Sequence, residues 1–185
     1  VKELSRRMSQ LDGRDWQSLK RLGRYLLKRE RAVSHYDYQR CPEEWSVWVD
    51  SDWAGRRRTR KSTSGGIVMF GGHALKSWST TQQVIALSSG EAEYYSMVKG
   101  GSMGISINAI SGDRGLLFQV NVKTDASAAK GIASRRGLGK VRNIDVSQLW
   151  LQDRVNKGDI KIEKVSTKVN VADALTKFVE SSILG

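Results

Sequence analysis

One segment decides the fold: Trp45-Ser-Val-Trp-Val-Asp-Ser-Asp-Trp-Ala-Gly55. Its aromatic and β-branched residues favour a half-buried β-strand, and Gly55 followed by a basic, hydroxyl-rich run predicts that the strand ends there. Asp50 and Asp52 lie at the end of this strand. A strand that directs acids out of a hydrophobic core is a candidate metal site if other carboxylates of the chain converge on it.

The composition is that of a globular domain. The chain has 185 residues, of which 39% are hydrophobic and 27% charged, enough for one domain with a core and an appended helical piece. No apolar run approaches the roughly 18 residues that a membrane span needs, and the first residues lack the apolar segment of a secretory signal. We therefore expect no membrane partner. Cys41 is the only cysteine, which favours a reducing compartment.

The charge is strongly positive and clustered. Lysine and arginine number 31 against 19 acids, which gives a formal net charge of +12. The basic residues gather in residues 14–31, 56–61 and 135–142, whereas the acids are scattered along the chain. This clustering favours a polyanionic partner, nucleic acid, over a charge that serves only solubility.

The N-terminal part differs from the rest of the chain. Residues 15–29 predict an amphipathic helix, because apolar residues recur at steps of three and four and the opposite side is almost purely cationic. That cationic side either faces phosphate or is simply solvated. Residues 32–44 carry the only proline and predict a turn-rich connection. We expect residues 1–43 to form a basic helix with a linker, and residues 44–185 to form the main domain.

Four further strands are predicted from alternating patterns or from short apolar runs between turn residues. They cover residues 65–72, 74–80, 116–125 and 160–165. The Gly71-Gly72 turn predicts an antiparallel hairpin. Helices are expected to begin at Ser88, at Ala126, near Asn143 and after the capping residue Asn170. This order of elements predicts a mixed α/β domain.

Two glutamates near the predicted helix start are separated by their spacing. Ser88 and Glu91 stand at capping-box positions, which gives Glu91 a structural role. Glu93 points elsewhere, because positions i and i+2 do not share a helix face. Its own face continues through small residues as far as Gly100 and Gly104, which predicts close packing on a sheet that carries Glu93 inward.

Four carboxylates are placed to meet: Asp50, Glu93, Asp125 and Asp173. Asp50 and Asp125 each end a strand, and if these strands are neighbours, their carboxyl ends form the kind of crevice in which α/β sheets bind ligands. Crowded carboxylates repel one another, and hard oxygen ligands suit Mg²⁺ or Mn²⁺. The alternatives are that Asp125 caps the following helix and that Asp173 only interacts with a helix dipole.

Seven runs occur in order between Trp45 and Phe178. They are Asp50-Ser-Asp-Trp-Ala-Gly, Arg60-Lys-Ser-Thr-Ser-Gly-Gly, Ser77-Trp-Ser-Thr-Thr-Gln-Gln, Ala86-Leu-Ser-Ser-Gly-Glu-Ala-Glu-Tyr, Thr124-Asp, Asn143-Ile-Asp-Val and Ala172-Asp-Ala-Leu-Thr-Lys. Together they resemble the ribonuclease H domain of Ty1/copia-type retrotransposon polyproteins. Upstream, Trp16-Gln-Ser-Leu-Lys-Arg-Leu-Gly-Arg-Tyr-Leu resembles the tail of the reverse transcriptase that precedes this domain.

The resemblance implies an α/β, ribonuclease H-like fold: a five-stranded mixed sheet of three antiparallel and then two parallel strands, flanked by helices. It implies that Asp50, Glu93, Asp125 and Asp173 are catalytic acids that hold two Mg²⁺ ions, which Mn²⁺ can replace. The match selects Glu93 over its neighbour at position 91. Strand alternation cannot separate Asp50 from Asp52, so Asp52 is kept in reserve.

The chain departs from the family that it resembles in two places. A basic run follows the Trp-Ala-Gly turn where members of that family often carry acids, and it either strengthens phosphate binding or forms a solvated loop. Asn143 replaces a common histidine, so Asp145 lacks its usual neighbour and is a second reserve. The candidate contacts with nucleic acid are Arg56, Arg57, Arg58, Arg60, Lys61, Ser62, Lys140 and Arg142. Trp48, Trp53 and Trp78 are expected in the core, since a paired hybrid offers no unstacked bases.

The function implied by the resemblance is hydrolysis of the RNA strand of RNA–DNA hybrids during reverse transcription, with two-metal catalysis and 5′-phosphate and 3′-hydroxyl products. The alternatives are a catalytically silent hybrid-binding module and a related polynucleotidyl transferase of the integrase kind. The implied partners are the hybrid and the reverse transcriptase portion of the same polyprotein, and the isolated domain is expected to be monomeric. The implied location is the cytoplasm, within virus-like particles, or the nucleus.

Overall fold

The structure is a computed structural model that describes residues 2–27, 31, 33–56, 58–137, 144 and 146–177. The chain divides into two units, Val1–Tyr38 and Gln39–Gly185. This division falls within the connection that the sequence predicts for residues 32–44. The assignment of the first unit to a reverse transcriptase stays a prediction.

The first unit contains two helices, α1 (Lys2–Arg7) and α2 (Gly13–Leu27). Helix α2 is the amphipathic helix predicted from the sequence. It begins after Asp12, whose Oδ1 accepts hydrogen bonds from the backbone N–H groups of Arg14 and Asp15, both at 2.8 Å. These bonds satisfy donors that a helix start otherwise leaves unpaired.

The second unit is built on a five-stranded sheet with the order β3-β2-β1-β4-β5. Its strands are β1 (Glu44–Asp52), β2 (Thr63–Phe70), β3 (His73–Thr81), β4 (Gln119–Thr124) and β5 (Ile160–Lys164). Strands β1, β2 and β3 pair antiparallel, whereas β1 with β4 and β4 with β5 pair parallel. The predicted ribonuclease H-like sheet is therefore confirmed, with β1 at its centre.

Three α-helices are described in the second unit: α3 (Ser89–Gly112), α4 (Ser127–Ala133) and α5 (Trp150–Asn156). Helix α5 is shorter than predicted, because the turn before it, Val146–Leu149, is a 3₁₀-helix. The last predicted helix is also a 3₁₀-helix, Val171–Leu175, over the described residues. No helix in the described parts of the chain has the length and apolar character needed to cross a membrane.

Helix α3 packs closely on the sheet, and the face that contacts the sheet includes Gly100 and Gly104. A Cβ atom on Gly100 would lie 2.4 Å from Val49 Cγ1, and one on Gly104 would lie 2.5 Å from Val120 Cγ1. Both valines are fully buried. The close approach predicted from the small residues is confirmed, and it brings the first turns of α3 to the end of β1.

Candidate active site

Three of the four predicted acids converge beside the carboxyl ends of the neighbouring strands β1 and β4. Asp50 lies near the end of β1, Asp125 directly follows β4, and Glu93 lies in the first turns of α3. Each contributes a carboxylate oxygen to a group in which all oxygens lie within 4.8 Å of one another. This convergence follows from the topology, since β1 and β4 are parallel neighbours whose carboxyl ends meet at the same edge. We refer to Asp50, Glu93 and Asp125 as the acidic triad.

The start of α3 separates Glu93 from Glu91. The backbone N–H of Glu91 donates to Ser88 Oγ at 3.2 Å, as the predicted cap requires. The Glu91 carboxylate accepts from the backbone N–H of Leu87 at 3.0 Å, not from that of Ser88, and from the Tyr95 hydroxyl at 2.7 Å. Glu91 is thus a buried structural residue. Glu93 faces β1 instead, where its Oε1 accepts from the backbone N–H of Ser51 at 3.3 Å.

Asp52 points away from the acidic triad. Its Oδ1 accepts a hydrogen bond from the backbone N–H of Thr63 on β2. Its carboxylate also lies against Gly55, where an added Cβ would be 2.2 Å from Oδ2. Asp52 therefore shapes the turn after β1, in which Ala54 has a positive φ of 53°. The structure separates the two acids that strand alternation could not.

Asp125 is not a helix cap. The N-cap of α4 is Ala126, and no side chain caps that helix. The Asp125 carboxylate instead accepts a hydrogen bond from the Thr167 hydroxyl at 2.7 Å. The alternative interpretation of Asp125 is therefore wrong, and its carboxylate takes part in the acidic triad.

Asp173 is linked to the acidic triad by Lys177, whose ammonium lies close to both Asp173 and Asp50. Asn170 caps its 3₁₀-helix by accepting from the backbone N–H of Ala172, and Asn170 Nδ2 donates to the Val49 carbonyl at 3.0 Å. This bond ties the segment to β1. Lys177 Nζ then lies 3.3 Å from Asp173 Oδ2 and 3.6 Å from Asp50 Oδ2.

Burial makes two of the acids hard to ionise. Burial raises the pKa of Asp50 to about 6, and the Asp173 and Asp125 carboxylates raise it too, against the Thr176 hydroxyl and the Lys177 ammonium. Burial raises the pKa of Glu93 to about 8, and the Asp50 and Asp125 carboxylates add to this effect. Proximity of like charges and loss of water both favour the neutral forms.

The donor set fits a divalent cation. It consists only of carboxylate oxygens, which suit hard ions such as Mg²⁺ or Mn²⁺. Glu93 Oε2 and Asp173 Oδ1 are buried without a hydrogen-bond partner among the described residues. Buried polar atoms normally have a partner, so these oxygens are available as ligands.

The raised pKa values predict that the metal-free protein loses stability as the pH rises. An acid whose pKa is higher in the folded state stabilises the fold at pH values below the ordinary pKa of that acid. This contribution to stability is lost as the pH rises through the folded-state pKa, about 6 for Asp50 and about 8 for Glu93. Melting temperatures in EDTA should therefore fall from about pH 5 to about pH 8.5. Mg²⁺ should restore more of the loss at the higher pH, because ligands must be deprotonated to bind.

Glu93→Gln provides the control for this pH dependence. The variant should have a flatter slope between about pH 6 and about pH 8, because the group with the highest pKa no longer titrates. A melting temperature in EDTA that rises over this range would contradict the expectation.

The basic turn after β1 is ordered by its own backbone. The Arg56 N–H donates to the Lys61 carbonyl at 3.2 Å, and Arg60 has a positive φ of 55°. Arg58 and Arg60 are exposed. Ser62 is fully buried, and its hydroxyl accepts from the backbone N–H of Ala54 at 3.0 Å. Its predicted contact with nucleic acid is therefore corrected to a role in holding the turn.

Several predicted residues lie outside the described part of the chain. They are Arg57, Lys140, Arg142 and the reserve acid Asp145. Their predicted roles stay predictions.

Two of the three tryptophans expected in the core lie outside it, and two contacts of Asp50 were not predicted. Trp48 is half-buried and does not belong to the buried core cluster; Lys123 Nζ lies 5.2 Å from the centroid of its ring. Trp53 is 53% exposed and donates from Nε1 to the Ala86 carbonyl at 3.1 Å. It is not a core residue, in contrast to the buried Trp78. The missed contacts are Thr176 and Lys177, although both belong to the last of the recognised runs.

Comparisons with known proteins agree with this architecture. No family model matches the chain. The curated relatives include Pol polyproteins of plant transposons. The Retrovirus-related Pol polyprotein from transposon TNT 1-94 of Nicotiana tabacum is 32% identical over 71% of this chain and 10% of the relative. The chain spans about a tenth of the length of the curated relatives that it matches.

Two solved structures share the fold at low sequence identity. The N-terminal RNase H domain of Rv2228c from Mycobacterium tuberculosis has a TM-score of 0.52 and 19% identity, over 72% of this chain and 90% of that one. LC11-RNase H1, solved in complex with an RNA/DNA hybrid, has a TM-score of 0.50 and 15% identity, over 71% of this chain and 92% of that one. The chain is a homologue of the Ty1/copia-type Pol polyproteins of plant transposons, and its main unit has the ribonuclease H fold.

Proposed function

We propose that the domain hydrolyses the RNA strand of RNA–DNA hybrids and leaves 5′-phosphate and 3′-hydroxyl ends. The observation that carries this proposal is the convergence of Asp50, Glu93 and Asp125, whose oxygens lie within 4.8 Å at the edge of a ribonuclease H sheet. Two further findings support it. The homologues are Pol polyproteins, and the related fold of LC11-RNase H1 has been solved with an RNA/DNA hybrid.

The acids would act by holding two Mg²⁺ ions, which Mn²⁺ can replace. Asp50, Glu93, Asp125 and Asp173 would supply the carboxylate oxygens that hold them. When bound, such ions activate the attacking water and stabilise the charge on the leaving oxygen. The protein orients the ligands beforehand: the Ser96 hydroxyl donates to the Asp50 carbonyl at 2.7 Å, and the Ser51 N–H donates to Glu93.

The hybrid would be recognised by its shape. Contacts with the phosphate backbone and the 2′-hydroxyl groups distinguish a hybrid without reading bases. The exposed Arg58 and Arg60 of the turn after β1 would contact the phosphate backbone. Binding that depends on such contacts weakens steeply with salt.

Removing two charges from this turn tests the contact. The double variant Arg58→Gln, Lys61→Gln is expected to bind hybrid severalfold more weakly and to reduce the slope of log affinity against log salt by about one to two. Fluorescence anisotropy of a labelled hybrid at several salt concentrations measures both quantities.

Lys157→Gln is a suitable control for this double variant. Lys157 is exposed and lies just before β5. It is therefore near the amino end of a parallel strand, whereas the acidic triad lies at the carboxyl ends of β1 and β4. It should therefore change the salt dependence little. An unchanged slope in the double variant would show that the turn is merely solvated.

The wider setting of the activity is also a proposal. We assign residues 1–43 to the end of a reverse transcriptase, which would be the physical partner of this domain in a polyprotein. The domain alone is expected to be monomeric and to act in the cytoplasm, within virus-like particles, or in the nucleus. The overall positive charge fits a nucleic-acid partner in each location.

The deciding experiment is a cleavage assay on a labelled RNA–DNA hybrid with Mg²⁺. We expect cleavage of the RNA strand, none in EDTA, and none of duplex DNA or duplex RNA. Binding without cleavage would indicate the silent hybrid-binding module. Strand transfer on duplex DNA would indicate a polynucleotidyl transferase. Either outcome would overturn the proposal.

A further inference from the structure

A lysine side chain lies between two carboxylates at the candidate metal site. Lys177 Nζ is 3.3 Å from Asp173 Oδ2 and 3.6 Å from Asp50 Oδ2. The Asp50 side chain is only 1% exposed, whereas that of Lys177 is 48% exposed. The ammonium is therefore held at the rim, with its charge directed at the most buried acid of the group.

The position of Lys177 is built by the residues around it. Thr176, its neighbour, donates from its hydroxyl to the same Asp50 oxygen, Oδ2. This approach requires a glycine on β2: Gly65 pairs with Asp50, and a Cβ on Gly65 would lie 2.6 Å from Thr176 Cγ2. The chain thus passes close enough to β1 for two successive side chains to contact one carboxylate.

We propose that Lys177 is a counterion supplied by the protein, which competes with a divalent cation for Asp50 and Asp173 and so lowers the metal affinity of the site. This inference rests on the metal-binding role given to these acids in the proposed function. An ammonium and a divalent cation repel each other, and two cations cannot share the same carboxylate oxygens without a large Coulomb cost. Metal binding therefore requires that Lys177 move away.

The chemistry of lysine allows such a movement. Its flexible four-carbon stem ends in a compact charge, and nearly half of this side chain already contacts solvent. Before metal binds, Lys177 offsets repulsion between the carboxylates and keeps Asp173 beside Asp50. Lys177 is in this sense a positioning residue, since it acts through the two acids.

The test is the affinity of the 185-residue chain for Mn²⁺, measured by isothermal titration calorimetry without nucleic acid. Lys177→Met keeps the length of the side chain and removes its charge, so it should bind Mn²⁺ about fivefold more tightly than the wild type. Lys177→Arg keeps the charge and should restore weaker binding. Lys177→Gln is a second neutral variant, and melting in EDTA verifies that each variant is folded.

Lys157→Met is the matched control. Lys157 forms an ion pair with Asp153 at 2.7 Å with the same i,i+4 spacing that joins Lys177 to Asp173. The Lys157→Met substitution changes the net charge by the same amount as Lys177→Met, and the Mn²⁺ affinity of this variant should equal that of the wild type. The inference is overturned if the neutral variants at position 177 bind Mn²⁺ no more tightly than the wild type, or if Lys157→Met gains as much.

The result is independent of the cleavage assay. A wild-type chain that binds Mn²⁺ but leaves hybrid intact would overturn the proposed function and leave the role of Lys177 standing. Cleavage by the wild type, combined with unchanged Mn²⁺ affinity in both neutral variants, would overturn the role of Lys177 alone.

Discussion

Asp125→Asn is expected to slow cleavage of an RNA–DNA hybrid by roughly a hundred- to a thousandfold, because in the proposed mechanism it removes one of the charges that would hold the metal ions. Asparagine has nearly the same shape, and its carbonyl oxygen can still accept the hydrogen bond that the Thr167 hydroxyl donates at 2.7 Å. The fold should therefore persist. Single-turnover cleavage rates with saturating Mg²⁺, together with melting curves, measure both parts of the expectation.

The control for this variant is Asp153→Asn. Asp153 is a helix α5 acid that pairs with Lys157, away from the acidic triad. The Asp153→Asn variant should cleave hybrid at the wild-type rate. An Asp125→Asn variant that also retained the wild-type rate would show that the acidic triad does not carry the reaction.

Gly100→Ala is expected to lower the free energy of unfolding by about 1–3 kcal/mol, the usual cost of overpacking a core. Its new methyl group would lie 2.4 Å from Val49 Cγ1, so helix α3 or strand β1 must shift. Val49 directly precedes Asp50, and the shift should therefore also reduce cleavage. Urea unfolding followed by circular dichroism measures the loss of stability.

Gly131→Ala is the matched substitution in open space. Gly131 lies within α4, and no atom lies within 4 Å of the position that its Cβ would take. Alanine should stabilise this helix by about 0.5–1 kcal/mol, because it restricts the unfolded chain and favours helix. Equal stabilities of the two variants would show that α3 can move off the sheet at no cost.

The sequence predicted the sheet well because the strands repeat local patterns. It also separated Glu93 from Glu91, since capping depends on spacing along one helix. It could not separate Asp50 from Asp52, which alternate onto the same face. That choice depends on a hydrogen bond between two strands, which the backbone N–H of Thr63 donates to Asp52. Such a contact cannot be predicted from either segment alone.

The remaining differences have similar causes. Trp53 is expected in the core because a paired hybrid offers no unstacked bases, but it follows the end of β1, where the chain leaves the sheet and the ring is 53% exposed. In the sequence, Thr176 and Lys177 are recognisable only as part of a motif. Their contacts with Asp50 depend on the absence of a side chain at Gly65, on a strand more than a hundred residues earlier in the sequence.

The parallel pairing of β1 with β4 also has a consequence for the order of folding. Strands β1, β2 and β3 form a meander with local connections, whereas β4 reaches β1 only after α3 has crossed over the sheet. Contacts between distant segments form slowly, because a long loop must be closed first. The meander can therefore assemble while later residues are still being synthesised, but Asp125 joins Asp50 only when β4 docks. Until then, a nascent chain carries no complete acidic triad.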